Sequence, residues 1–263
     1  MDLLQSLTLG LIQGTTEWFP ISSTGHLRLA EHFFGLEVPL LFDVVLHVGT
    51  LLVTLLYFRG AIKSVLLALW RRDIHSDDGK LILPLIVGSI PTALIALLVG
   101  NDLDTYFSTL PMLGAGFLIS GAVLVASKFS TERQDTISVP VALLVGVMQG
   151  LSIVPSLSRS GLTIAVMLLL GLKREIAFKF SFLLSIPAVI GALGITLYQE
   201  HNALSLAGIG TLEIVVSLAV TVAISFLALK LLWKMLAAKK FYLFAIYCFA
   251  VGAVLLALSL IGF

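Results

Sequence analysis

Charge is scarce in this chain of 263 residues: Asp, Glu, Lys and Arg together make up 12%, against 59% hydrophobic residues. With a mean hydropathy of +1.09, there is too little polar surface to cover a soluble domain, so the composition is that of a polytopic membrane protein. The net charge of +1 supplies no basic field, which excludes nucleic acid as a partner. Cys248 is the single cysteine; an internal disulfide is excluded and the redox compartment cannot be read. The Met-Asp start has no basic run behind it, so no cleaved signal peptide is expected. Clusters of Asp, Glu and His at metal-ligand spacing are also missing.

What the chain has instead is long apolar runs. Crossing a bilayer takes about 20 apolar residues, and the stretches 39–58, 81–99, 110–127, 176–198, 210–232 and 242–262 qualify. Two more, 2–35 and 139–172, are apolar but interrupted near their middles by Pro, Ser and Gly. Each reads as a helix, a break and a second helix. Halves that short fit re-entrant hairpins, and irregular backbone at membrane depth survives only where it lines a polar cavity.

Basic residues orient these elements. The connection 59–80 carries Arg59, Lys63, Arg71, Arg72 and Lys80 and is placed in the cytoplasm. Counting crossings from there puts 100–109 and 199–209 outside, and neither contains Lys or Arg. Lys128, Arg133, Lys173, Arg174, Lys179, Lys230, Lys234, Lys239 and Lys240 fall inside or near the inner end. The exceptions are Arg28 and Arg159, both in the hairpins. Each half is then a hairpin plus three crossings, and the odd number inverts the second half. The expected fold is all-α: an inverted-topology repeat of 1–136 and 137–263, with six transmembrane helices and two re-entrant hairpins. The first hairpin enters from outside and the second from the cytoplasm.

An internal repeat ties the two hairpins together. Gly10-Leu-Ile-Gln-Gly14 answers Gly146-Val-Met-Gln-Gly150, and Ser22-Ser-Thr-Gly25 answers Ser158-Arg-Ser-Gly161, at a constant offset of 136 residues. Pro20 and Pro155 miss that offset by one. Each Ser/Gly motif precedes a new helix, whose start offers unpaired N–H groups and about half a positive charge. Hydroxyl residues cap such starts, and glycine lets a ligand approach the backbone. Arg159 adds a fork of donors suited to phosphate oxygens. Glu17 and His26, on either side of the first break, are candidate acid/base groups.

Plainer readings stand beside these. Helix caps and helix–helix contacts alone would account for Ser22 and Ser158, and Glu17 could serve as the salt-bridge partner of Arg159. A mid-membrane arginine costs about 3 kcal/mol or more when unpaired, so Arg159 requires a reason to be there. Asp43 and His47 lie one helical turn apart and are expected to hydrogen-bond each other. Trp18, Trp70 and Trp233 are expected at packing or interface positions, and His32, His75 and His201 at the surface or in loops.

Glu17 with Gln13 before it, Pro-Ile-Ser-Ser-Thr-Gly-His (20–26) and Pro-Ser-Leu-Ser-Arg-Ser-Gly-Leu-Thr (155–163) resemble the two signature motifs of undecaprenyl-diphosphate phosphatases, the bacitracin-resistance type of membrane phosphatase. Phe42-Asp-Val-Val-Leu-His-Val-Gly-Thr50 and the span pattern extend that resemblance over essentially the whole chain. The resemblance implies a plasma-membrane enzyme that hydrolyses a polyprenyl diphosphate to the monophosphate lipid carrier, with a divalent cation and an active site open to the outer face. By matching positions it makes Glu17, Ser23, His26 and Arg159 the central residues. Ser22, Thr24, Ser158, Ser160 and Thr163, with Gly25 and Gly161, would surround the phosphates. The lipid substrate and the surrounding membrane lipids are the expected partners, and a homodimer is left open.

Charge bookkeeping agrees with a cation. A prenyl diphosphate brings roughly two to three negative charges and Glu17 one more, against Arg159 and two helix ends of about half a charge each. Mg²⁺ or Ca²⁺, held largely by the phosphates with Glu17 and more weakly Gln13, would cover the deficit. Two departures from the family pattern stand out. Ser156 occupies a position where many members have Gly, which is expected to stiffen that turn. Gln13 replaces a common Glu, so any ionic or acid/base role rests on Glu17. The expected chemistry is nucleophilic attack by Ser23, activated by His26 or Glu17, with His26 itself or a Glu17-activated water as the other candidates. The reading from a different class is a lipid-phosphate flippase or anion transporter using the same cradle.

Overall fold

The computed structural model describes residues 1–99, 107–200 and 209–262; the expected outer loops around Asp102, Asp104 and His201 lie largely outside the described residues. Among those described the secondary structure is helical, with one isolated β-bridge between Gln134 and Leu172. The first half contains α1 (Leu3–Thr16), α2 (Ser23–Phe34), α3 (Leu40–Tyr57), α4 (Arg59–Arg71), α5 (Ile82–Val99) and α6 (Leu110–Ala126). The second contains α7 (Val139–Leu151), α8 (Arg159–Leu169), α9 (Arg174–Glu200), α10 (Thr211–Ala237) and α11 (Phe244–Leu260).

Among the described residues six helices are long and apolar enough to cross a membrane: α3, α5, α6, α9, α10 and α11, three of them extended by short 3₁₀ turns. The protein is thus an all-α, multi-pass membrane protein. At about 1.5 Å rise per residue, the 14 and 12 residues of α1 and α2 and the 13 and 11 of α7 and α8 fall short of a hydrocarbon core of about 30 Å. Helix α10 continues to Ala237, past the expected end at 232, because Lys230 and Lys234 can carry their charges outward on long apolar stems.

The region 59–80 corrects the expectation of a plain connection. Its first part is α4, with Leu66, Leu69 and the 86%-exposed Trp70 on the outside and Ala68 buried. Apolar and basic residues share this short helix, the pattern of one lying in the membrane interface. Arg72 ends it in the left-handed conformation, φ 56°.

Packing places the two broken segments at the centre. α1 packs on α10 and α7 on α5; α3 meets both α9 and α10, and α9 meets α5; α6 lies along α11. The repeated Gly-x-x-Gln-Gly motif explains the first two contacts. A Cβ on Gly10 would stand 2.5 Å from the Ser217 carbonyl oxygen, and one on Gly146 would stand 2.1 Å from that of Gly88. Small residues let helix backbones touch where lipid supplies no hydrophobic drive. Threonines on the partner helices then bond the exposed carbonyls: Thr221 Oγ1 donates to Gly10 O at 3.1 Å and Thr92 Oγ1 to Gly146 O at 2.9 Å. Below the breaks an aromatic cluster of Trp18, Phe58, Phe178 and Phe182 closes the core, with Trp18 and Phe182 centroids 4.9 Å apart.

Candidate active site

Both breaks end in the same capping arrangement. Ser22 Oγ accepts from the Gly25 N–H at 3.2 Å as α2 begins, and Ser158 Oγ accepts from the Gly161 N–H at 3.1 Å as α8 begins. The glycines also let the hairpins touch each other. A Cβ on Gly25 would meet the Ser156 backbone at 2.9 Å, and one on Gly161 would meet Pro20 at 3.2 Å. The first residue of each new helix, Ser23 and Arg159, is thereby brought to one carboxylate.

That carboxylate is Glu17, 8% exposed at the end of α1. Ser23 Oγ donates to its Oε2 at 2.7 Å, and Gln13 Nε2 donates to the same oxygen at 3.3 Å. Arg159 Nη2 forms an ion pair with Oε1, while Arg159 Nη1 has no hydrogen-bond partner among the described residues. A cavity of about 360 Å³ opens over this group, and Ser22, Thr24, Ser158 and Ser160 line it together with Glu17, Ser23 and Arg159. These are the residues singled out from the motifs.

Other motif residues are placed elsewhere. His26 Nδ1 hydrogen-bonds the Ser22 carbonyl at 2.7 Å, so that nitrogen carries a proton. Its Nε2 is 2.7 Å from the Tyr247 hydroxyl, and the ring stacks on Tyr247 with its edge against Phe117. His26 is therefore directed at α6 and α11, away from the cavity lining. Among the described residues Ser23 Oγ bonds Glu17 and makes no hydrogen bond to His26. Thr163 is fully buried behind the cavity, bonded to the Arg159 carbonyl at 2.8 Å and to Ser181 Oγ at 2.7 Å.

Sequence reasoning passed over three cavity residues. His47 was expected to bond Asp43; its Nδ1 does so at 2.8 Å, but through the Asp43 backbone carbonyl, which leaves Nε2 3.4 Å from Glu17 Oε2. Asp43 and Arg28 also line the cavity, with Arg28 held 2.6 Å from Glu31 and 3.0 Å from Asp43. One signal was available: Arg28 broke the orientation rule exactly as Arg159 did. Ser156 does occupy strained backbone, with φ 69°. Its hydroxyl folds onto the Pro155 carbonyl and occupies the space that Gly116 leaves, where a Cβ would lie 2.0 Å from Ser156 Oγ.

The donor set bears on a cation as well. Among the described residues no three His, Cys, Asp or Glu side chains gather as a metal site, and both Glu17 oxygens already have partners. Gln13 Oε1, beside them, is buried without a hydrogen-bond partner. One carboxylate and one amide oxygen are too few for a cage of protein ligands, but they are the right kind for a hard cation carried in by phosphates.

The family model for bacitracin resistance protein BacA matches residues 6–254. The chain belongs to the BacA family. Within it, the chain is 40% identical over 280 residues to the undecaprenyl-diphosphatase of Desulfosudis oleivorans, covering 97% of this chain and 98% of the relative. The undecaprenyl-diphosphatase of Carboxydothermus hydrogenoformans is 40% identical over 268 residues, covering 100% and 99%. That of Methanosphaera stadtmanae is 36% identical over 278 residues, covering 99% of each. BacA-family membership thus extends over both hairpins and every described span.

Proposed function

We propose that this BacA-family protein is an undecaprenyl-diphosphate phosphatase of the plasma membrane, releasing phosphate and the monophosphate lipid at a site inside the membrane. The observation that carries this reading is the convergence of Ser23, Glu17 and Arg159 on one cavity from two separate breaks. The names of its relatives point to the same substrate.

Ser23 is the nucleophile and Glu17 its base. The terminal phosphate takes up the unpartnered Nη1 of Arg159 and competes with Glu17 for the rest of the guanidinium fork. Loosening that ion pair frees Glu17 to accept the Ser23 proton at Oε2. Ser23 Oγ then bonds to the terminal phosphorus as the anhydride P–O bond breaks, and the bridging oxygen leaves on the lipid monophosphate. It leaves with the proton that Glu17 had taken, which returns Glu17 to its carboxylate form. Water, deprotonated by Glu17, attacks the phosphoserine; the Ser23 O–P bond breaks and Oγ regains its proton. Arg159 and the starts of α2 and α8 stabilise the charge that builds on the phosphoryl oxygens. A divalent cation held by the phosphates, Glu17 and Gln13 would supply the remaining positive charge.

The orientation of the basic residues supports an opening to the outer face. With the basic connections inside, the cavity residues Leu40 and Val44 of α3, Ala96 of α5 and Thr196 and Gln199 of α9 belong to outer halves of their helices. The reciprocal packing of α1 on α10 and α7 on α5 supports an inverted repeat with re-entrant hairpins. A flippase or anion carrier would use the same cradle, but has no need of a hydroxyl hydrogen-bonded to a buried carboxylate. The test is phosphate release from undecaprenyl diphosphate by the purified chain, with and without Mg²⁺ or Ca²⁺. Metal-dependent release is expected; binding without release would leave the carrier reading.

A further inference from the structure

A second cavity, of about 470 Å³, lies at the other end of α8. Arg159 begins that helix at the Glu17 cavity, and Leu168, near its end, lines the second one. The remaining walls come from the turn after α6, the loop that follows it, the first residue of α9 and the turn after α10. By the orientation of the basic residues, all of these ends face the cytoplasm.

Lys128, Arg174 and Lys239 line the cavity with a single carboxylate, Glu132. Glu132 is already committed: it pairs with the Arg174 guanidinium and accepts from the Arg174 N–H at 3.2 Å. Among the described residues no carboxylate lies within ion-pair distance of Lys128 or Lys239. Lys128 Nζ is placed 5.1 Å over the Tyr242 ring. Lys239 sits in the left-handed conformation, φ 60°, with its N–H bonded to the Leu236 carbonyl at 3.0 Å.

The loop wall is equally fixed. The Arg133 and Gln134 N–H groups donate to the Gly171 carbonyl at 2.8 and 2.9 Å, and the Lys173 N–H donates to the Gln134 carbonyl at 3.0 Å. Lys128 and Lys239 are exposed, and both border a concavity that also carries the hydroxyls of Ser130, Thr131 and Tyr242. We propose that this cavity binds a phosphate-bearing anion at the cytoplasmic face. Two ammonium groups and a set of hydroxyl donors match the charge and hydrogen-bonding of a phosphate group. Beside the cavity, Phe129 is 76% exposed and Leu169 45% exposed, leaving an apolar flank against which an acyl chain fits. A free phosphate and an anionic lipid headgroup therefore share the recognised chemistry.

The test uses the full chain in neutral detergent carrying Arg159→Ala, or Arg159→Lys should the first variant fold poorly, so that the Glu17 cavity has lost its native phosphate donor. Thermal unfolding is followed while inorganic phosphate, short-chain phosphatidylglycerol or phosphatidylcholine of the same chain length is titrated. Saturable stabilisation by phosphate would identify a free-anion site; stabilisation by phosphatidylglycerol alone would identify a headgroup site. In either case Lys128→Ala/Lys239→Ala weakens the apparent affinity by about tenfold or more, while the exposed pair Lys63→Ala/Lys80→Ala leaves it unchanged. With Arg159 intact, Lys128→Ala/Lys239→Ala keeps its turnover. No saturable shift with either probe, or an equal loss in both lysine pairs, overturns the proposal.

Discussion

At the first break Ser22 caps α2 through the Gly25 N–H, and at the second Ser158 caps α8 through the Gly161 N–H. Around these matching caps the residues diverge. Glu17 in the first break corresponds at the 136-residue offset to Ile153 in the second, and Ser23 corresponds to Arg159. Gln13 and Gln149 remain alike, yet Gln13 donates to Glu17 while Gln149 donates to the Leu184 carbonyl at 3.1 Å. One backbone arrangement thus supports a serine bonded to a buried carboxylate on one side, the nucleophile and base of the proposed mechanism, and an arginine paired with the same carboxylate on the other. The turns leading to the caps also differ. The left-handed residue is Ser22 itself in the first and Ser156, two residues before the cap, in the second, which accounts for the prolines missing the offset.

Exchanging the two chemistries should produce unequal damage. Ser23→Ala is expected to lower the rate of phosphate release by about 10⁴-fold or more, since it removes the attacking atom. Arg159→Ala should cost about 10²–10³-fold, the usual loss on removing a donor to a developing anion, with Arg159→Lys recovering part of it. His26→Gln should cost about 10²-fold through displacement of Ser22 and Ser23, and adding it to Ser23→Ala should cost little more. A His26 loss that compounds fully with Ser23→Ala would make His26 a chemical participant.

Smaller effects separate the scaffolds. Ser158→Ala removes a cap and should lower stability by about 1 kcal/mol in denaturant unfolding. Ser156→Gly relieves a left-handed serine but frees the unfolded chain. Its net change should stay within about 1 kcal/mol, with turnover unchanged.

Much of this was legible in the sequence because it is local. Apolar length placed the spans, the orientation of lysines and arginines suggested the topology, and the Ser-x-x-Gly spacing located both caps. The motifs also named Glu17, Ser23 and Arg159 without showing that they meet. What the sequence could not carry depends on which helices approach one another. His47 reaches Glu17 because α3 passes beside α1, and His26 turns toward Tyr247 because α11 passes behind α2. Ser156 fits its turn only because Gly116, on a different helix, leaves room. Helix α4 was missed for another reason: five basic residues across 59–80 outweighed its apolar positions in a reading built on hydropathy.

The central claim is that the phosphoryl group passes through Ser23. Incubating the purified chain with undecaprenyl diphosphate labelled in its terminal phosphate, quenching within a single turnover and mapping the label tests this most directly. The account predicts labelled phosphoserine at residue 23, absent in Ser23→Ala and strongly reduced in Arg159→Ala. Full phosphate release by Ser23→Ala, with no label on the protein, would contradict it.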